Sequence, residues 1–136
     1  MYRARLLLAD DHPETRALLR ALLAPEFDVI AEVGDGLELV SAAGLLSPDV
    51  IVTDISMPGL DGIEAAILIR GKSPAARIVF VTVHGDPTLV DLALASGALG
   101  YVRKLAAGDD LVPAVYAALS GEHYVSRTLC RQDGAA

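Results

Sequence analysis

Three aspartates, a threonine and a lysine stand where their types could do chemistry together. Asp10 and Asp11 follow the apolar run RLLLA at 5–9, and Asp54 follows VIVT at 50–53. Thr82 follows RIVFV at 77–81, and Arg103-Lys104 follow GYV at 100–102. Each run has the length and β-branched content of a buried strand. An acid at the end of such a strand has little water around it, so it is paired, caps something, or is present for chemistry. In an open α/β sheet, ligands bind outside the carboxyl ends of the strands. If these runs are neighbouring parallel strands, three carboxylates converge there beside a hydroxyl and an ammonium. Two carboxylates about 4 Å apart repel by about 4 kcal/mol at an effective dielectric near 20. Either one holds a proton or a cation sits among them. A hard cation with oxygen ligands suits the set, and Mg²⁺ commonly binds through one or two carboxylates, waters and a phosphate. The chemistry implied is phosphoryl transfer, with a carboxylate nucleophile that becomes an acyl phosphate. Mg²⁺ and Lys104 would hold the phosphoryl oxygens, and Thr82 would donate a hydrogen bond to one of them.

The elements that must position these groups can be read along the chain. A fifth apolar run, FDVIAEV, occupies 27–33. Between the runs lie stretches with helical spacing: PETRALLRALL, LELVSAAGLL, GIEAAILIRG, TLVDLALASG and DLVPAVYAALSG. Pro13 suits a first helical turn, and Pro113 is expected in the first turn of the last helix. Gly97 is a natural helix-ending glycine. Five strands alternating with five helices predict an α/β fold: a (βα)₅ doubly wound, flavodoxin-like parallel sheet covered on both faces, with strand order 2-1-3-4-5. Residues 123–136, HYVSRTLCRQDGAA, lose the alternation. They read as a C-terminal extension, or as the start of a linker, after a domain spanning 1–122.

Composition narrows the classes. The chain has 136 residues, enough for one domain with its own core. With 53% hydrophobic and 21% charged residues it is globular, and with no Trp its core must be built from Leu, Val, Ile and Ala. A net charge of −7 argues against gripping nucleic acid directly. No apolar run approaches the roughly 20 residues of a membrane span, and the N-terminal apolar stretch is too short for a signal peptide. A single cysteine, Cys130, excludes an internal disulfide and fits a reducing compartment.

The stretches LLLADDHPETRALL, PDVIVTDISMPGLDGIEA, RIVFVTVHGD and ASGALGYVRKLA together resemble the receiver domain of two-component response regulators. The resemblance covers roughly residues 4–121. DHP after Asp10, the lack of proline after Lys104, and LSGEHYVS near the end most resemble regulators with a LuxR/NarL-type helix-turn-helix output. The resemblance implies that Asp54 is the phosphoacceptor, receiving its phosphoryl group from a sensor histidine kinase. It implies that Asp10 and Asp11 are an acidic pair on Mg²⁺, Asp11 more directly, with Asp54 and the backbone carbonyl of Ser56 as further ligands. Thr82 would be the switch hydroxyl, Lys104 the phosphate-binding lysine and Tyr101 a switch aromatic that turns inward on phosphorylation. It further implies a cytoplasmic signalling protein with no metabolic activity, at most a weak or phosphorylation-dependent dimer, and transcription control through a DNA-binding domain outside this chain. Two positions depart from the family pattern. Val83 stands where a small residue is usual, and its branched side chain could narrow the phosphate's approach. Leu105 stands where many receivers have a proline, and a trans bond is expected before it.

Blander readings stand beside these. Asp10 and Asp11 could cap the first helix, and Lys104 alone could be a solvated lysine. His12 reads as a helix-entry residue, because no His/Cys cluster supports a transition-metal site. His84 could contact an attacking water. A flavodoxin-like cofactor protein would need a Ser/Thr/Gly phosphate cradle where this chain has DDHPE, which would repel phosphate. A metal-dependent phosphohydrolase would want a second acid at position 56 and a cap domain. A stand-alone receiver, or a receiver fold that binds partners without being phosphorylated, is the remaining alternative.

Overall fold

The computed structural model describes residues 2–126, so Cys130 and the rest of 127–136 lie outside the described residues. The elements run β1 (Arg5–Ala9), α1 (Pro13–Leu23), β2 (Asp28–Val33), α2 (Gly36–Leu46), β3 (Val50–Thr53), α3 (Gly62–Lys72), β4 (Ile78–Thr82), α4 (Pro87–Ala95), β5 (Gly100–Arg103), α5 (Ala107–Leu119) and β6 (Tyr124–Val125). A short 3₁₀ turn, Lys104–Ala106, joins β5 to α5. The sheet is parallel, with order β2-β1-β3-β4-β5-β6. The expected order 2-1-3-4-5 is therefore present and extended by one strand.

The central strands are continuous apolar runs because both their faces are covered. Every residue of β3 and β4 is buried. Alternation along each strand divides the core in two. Leu6, Leu8, Val50, Val52, Val79 and Val81 pack with Leu19 and Leu23 of α1 and Leu111, Ala114 and Val115 of α5. Leu7, Ile51, Ile78, Phe80 and Tyr101 face the other way, against Leu39 of α2, Ala65, Ala66 and Ile69 of α3, and Ala93 of α4.

Local signals set the helix ends. Pro13 occupies the first turn of α1 as predicted. Asp61 and Glu64 form a reciprocal capping box at α3. Gly97 has φ 97° just beyond α4, a left-handed conformation open to glycine. Two expectations need correction. Pro113 lies inside α5 rather than in its first turn, because the helix begins earlier, at Ala107. Ala107 and Leu111 are both buried, so apolar anchoring adds helix before Asp110 and leaves Pro113 on the exposed side. The segment after α5 is not wholly irregular either. Tyr124–Val125 adds a sixth strand beside β5, too short to show any periodicity in sequence.

One glycine ties the fold to the strand-end edge. A Cβ on Gly62 would lie 2.1 Å from the carbonyl oxygen of Asp54, and the Gly62 amide donates to Ile55 O at 2.7 Å. The loop after β3 thus folds back onto backbone with no room for a side chain. Gly62→Ala is expected to destabilise the protein by about 1–3 kcal/mol, the usual cost of overpacking, as measured by urea denaturation.

Candidate functional site

Strand register forces the acids together. Ala9 is opposite Thr53 in the β1–β3 pair, so the next residues, Asp10 and Asp54, emerge side by side. The Asp54 amide donates to Ala9 O at 3.0 Å. Across β4, Thr82 is opposite Arg103 of β5, which brings Lys104 to the same edge. Its ammonium lies 2.8 Å from Asp10 Oδ2 and 2.8 Å from Asp54 Oδ2. Asp10 and Asp54 are 0% and 4% exposed, and Thr82 is fully buried. Burial pulls the Lys104 ammonium down, but its bonds to Asp10 and Asp54 more than offset this, and its pKa is raised. The lysine is therefore held charged between the two carboxylates.

Backbone amides take the other oxygens. Asp10 Oδ1 accepts from His12 N at 2.9 Å, and Asp54 Oδ1 accepts from Ile55 N at 2.7 Å. Neither Asp10 nor Asp11 is the N-cap of α1. That position is His12, which makes no side-chain cap bond, in keeping with its reading as a helix-entry residue. Asp11 is differently placed. Its Oδ1 is buried without a hydrogen-bond partner among the described residues, and His12 Nδ1 stands 3.0 Å away. One ammonium against three carboxylates leaves a surplus of acid, concentrated at Asp11. Ligand atoms of Asp10, Asp11 and His12 lie within 4.8 Å of one another. An oxygen-rich set with an orphaned carboxylate oxygen fits a hard divalent cation such as Mg²⁺.

An open groove of about 710 Å³ leads to this edge, lined among others by Asp11, His12, Ser56, Met57, His84 and Leu89. Val83, the residue expected to narrow the phosphate's approach, is 61% exposed. The Lys104–Leu105 bond is trans, as expected.

Sequence reasoning missed the central part of His84. Its Nε2 is 2.7 Å from Ser56 Oγ, its amide donates to Thr82 Oγ1 at 3.3 Å, and its carbonyl accepts from the Tyr101 hydroxyl at 2.9 Å. One residue thus bridges the loop after β3, the end of β4 and the middle of β5. No sequence signal marks such a bridge beyond a histidine two places after Thr82. Tyr101 was expected to turn inward on phosphorylation. In the described conformation its ring is already inward and fully buried.

Burial pushes the Tyr101 hydroxyl up to about 12 from its ordinary 10.0. Between those values the folded state keeps a proton that the unfolded chain has lost, so stability falls as pH rises through the window. Lys104, also raised, adds a decline of the same sign. Tyr101→Phe is expected to lose stability less steeply than the wild type from pH 10 to 12, as followed by denaturation at each pH.

The sequence model of the response regulator receiver domain family matches residues 6–116. The nitrate/nitrite response regulator protein NarL of Escherichia coli K12 is 38% identical over 128 residues, which cover 93% of this chain and 59% of NarL. The crystal structure of a LuxR-family two-component response regulator from Aurantimonas sp. SI85-9A1 superposes with a TM-score of 0.91 at 36% identity, covering 96% of this chain and 94% of that one. A Salmonella typhimurium RcsB response regulator, described for its conformational dynamism in DNA interaction, gives a TM-score of 0.88 at 29% identity, covering 96% of this chain and 67% of that one. The chain spans about three-fifths of the curated NarL sequence that it matches. Its acidic strand-end edge, its 2-1-3-4-5 sheet and these likenesses agree: the chain belongs to the response regulator receiver domain family, and its relatives are two-component regulators of the NarL/LuxR type.

Proposed function

We propose that Asp54 is the phosphoacceptor of this receiver, taking a phosphoryl group from the phosphohistidine of a sensor kinase. The observation that carries this reading is the bridge from Lys104 Nζ to Asp54 Oδ2, at 2.8 Å. It places a cation beside the carboxylate, within reach of the oxygens of a phosphoryl group joined to it. An Asp54 oxygen attacks phosphorus, an O–P bond forms, and the N–P bond to the kinase imidazole breaks. The imidazole leaves with the bonding pair and ends neutral after taking up a proton. Lys104 then follows the new negative charge, and the Thr82 hydroxyl donates to a phosphoryl oxygen. Asp10, Asp11, Asp54 and the Ser56 carbonyl are the groups that would hold Mg²⁺, which when bound neutralises surplus charge and orients phosphoryl oxygens. Hydrolysis by water reverses the modification, so the domain acts as a signalling switch, with self-dephosphorylation as its only turnover.

The phosphoryl group adds roughly −1.5 to −2 charges, which biases a surface formed by α4, β5 and α5. That surface would control transcription through a DNA-binding domain encoded outside these residues. Pairing of two copies, weak before phosphorylation, would bring two such domains together on half-sites. No helix among the described residues is long and apolar enough to cross a membrane, and the reading is of a cytoplasmic partner to a kinase.

With Mg²⁺ and acetyl phosphate, intact mass is expected to show one added phosphoryl group that is stable in acid and released by base. Asp54→Asn is expected to show none, and labelling that persists in this variant would move the nucleophile elsewhere.

Asp11 offers a separate check on the metal. Mg²⁺ is expected to bind weakly to the unphosphorylated protein, since several ligands remain water. Asp11→Ala is expected to abolish binding in a titration, while Asp10→Ala only weakens it. Unchanged affinity in Asp11→Ala would refute the assignment.

A further inference from the structure

β6 lies on the far side of β5 from the acidic edge, and nothing in the phosphoacceptor chemistry requires it. Gly100 pairs with Tyr124 and Tyr101 with Val125. The Tyr124 amide donates to Leu99 O at 2.9 Å, and the Ser126 amide to Tyr101 O at 2.8 Å. A two-residue parallel strand has little stability of its own, and its register is weakly specified without side-chain bonds. Here one carboxylate supplies them. Asp110, in the first turn of α5, accepts from Tyr124 Oη at 2.8 Å through Oδ1 and from Ser126 Oγ at 2.8 Å through Oδ2. Ser126 is fully buried. Its hydroxyl also accepts from the Arg103 amide at 3.1 Å.

Ser126 therefore touches β5 at two places, the carbonyl of Tyr101 and the amide of Arg103, and touches α5 at Asp110. Arg103 directly precedes Lys104, whose ammonium is bound to Asp10 and Asp54. A backbone shift at Lys104 passes directly to Arg103, the residue whose amide holds Ser126. We propose that Asp110 is a latch that fastens the segment after α5 to β5, making Ser126 the point where a change at the phosphorylation site passes to the chain beyond residue 126. The coupling rests on Asp54 being the phosphoacceptor; the anchoring by Asp110 does not. The route runs through β5 and β6 and needs no rearrangement of α4. The recognising chemistry is a carboxylate that accepts from two hydroxyls, so the tyrosine and the serine are both required.

Amide hydrogen exchange followed by NMR on the full chain tests both parts. Loss of two hydrogen bonds in Asp110→Ala is expected to speed exchange at the Ser126 amide by about tenfold or more. The amides of Val52 and Val81, deep in β3 and β4, are expected to keep their rates and so report an intact fold. If Asp110→Ala does not fold, Ser126→Ala removes the same hydroxyl contact and is expected to speed exchange at the Arg103 amide. Unchanged exchange in the folded variant overturns the latch. Mg²⁺ with beryllofluoride then serves as the phosphoryl mimic, its binding read by fluorine NMR. Bound mimic is expected to change exchange at Ser126 and Arg103 in the wild type, and to leave Ser126 in Asp110→Ala at its already accelerated rate. Bound mimic with no response at Ser126 overturns the coupling and leaves Asp54 as acceptor. Failure of the mimic to bind overturns the acceptor reading, and the coupling with it.

Discussion

The Lys104 ammonium is the contact on which the rest of the site depends. It reaches from the end of β5, past β4, to carboxylates at the ends of β1 and β3. Asp10 and Asp54 are almost wholly removed from water. Withdrawing a carboxylate costs several kcal/mol even after relaxation, and a pair is tolerated only when charge and hydrogen bonds compensate both members. Here the compensation is one shared cation plus the amides of His12 and Ile55. Removing the cation would leave two acids facing each other with no counter-charge. The parallel sheet, with every carboxyl end on one edge, lets residues 94 and 50 positions away from Lys104 share a single ammonium.

That requirement explains how the burial is distributed. The apolar faces of β1, β3 and β4 pack helices on both sides, so the strands are rigid and their ends fixed relative to one another. Loops then carry the chemistry on a packed scaffold. The Gly62 contact with the Asp54 carbonyl is one such fixing point. It holds the loop after β3 against the strand end, while the Asp54 side chain is held by the Ile55 amide and Lys104. Asp11 is the exception. It is partly exposed, its Oδ1 makes no hydrogen bond among the described residues and has only the His12 imidazole near it, so it keeps capacity to bind something new.

Much of this was legible in the sequence because it depends on runs and ends. Five strands appear as five apolar runs, and the acids, Thr82 and the Arg103-Lys104 pair stand directly after four of them. Apolar run length and β-branching are local properties that tertiary packing here reinforces. The features that were not legible share a different character. The His84 bridge and the Asp110 contacts are side-chain hydrogen bonds set by loop geometry, and the inward Tyr101 ring is set by tertiary packing; none leaves a periodic trace. β6 escaped notice because two residues cannot display an alternation. The start of α5 was misplaced because a proline was allowed to define it, when buried Ala107 decides where the helix begins.

The His84 bridge constrains how a signal could leave the site on the proposed reading. A hydroxyl has one proton to donate and two lone pairs that accept. Thr82 can therefore donate to a phosphoryl oxygen while still accepting from the His84 amide, and recruitment need not break that bond. The loop would travel with the threonine. The His84 carbonyl travels too, and it is the acceptor for the Tyr101 hydroxyl. With the ring already fully buried and packed against the α3 and α4 side of the core, there is no outward pocket for it to vacate. A displacement of His84 then has two outlets. The tyrosine can give up its hydrogen bond, which strands a buried hydroxyl and costs about 1–3 kcal/mol, or β5 can shift slightly with the ring in place. The second outlet keeps every bond, and its next contact is Ser126 N on Tyr101 O. On that reading the backbone of β5, more than a flipping ring, is the element that the hydrogen bonds would leave able to move.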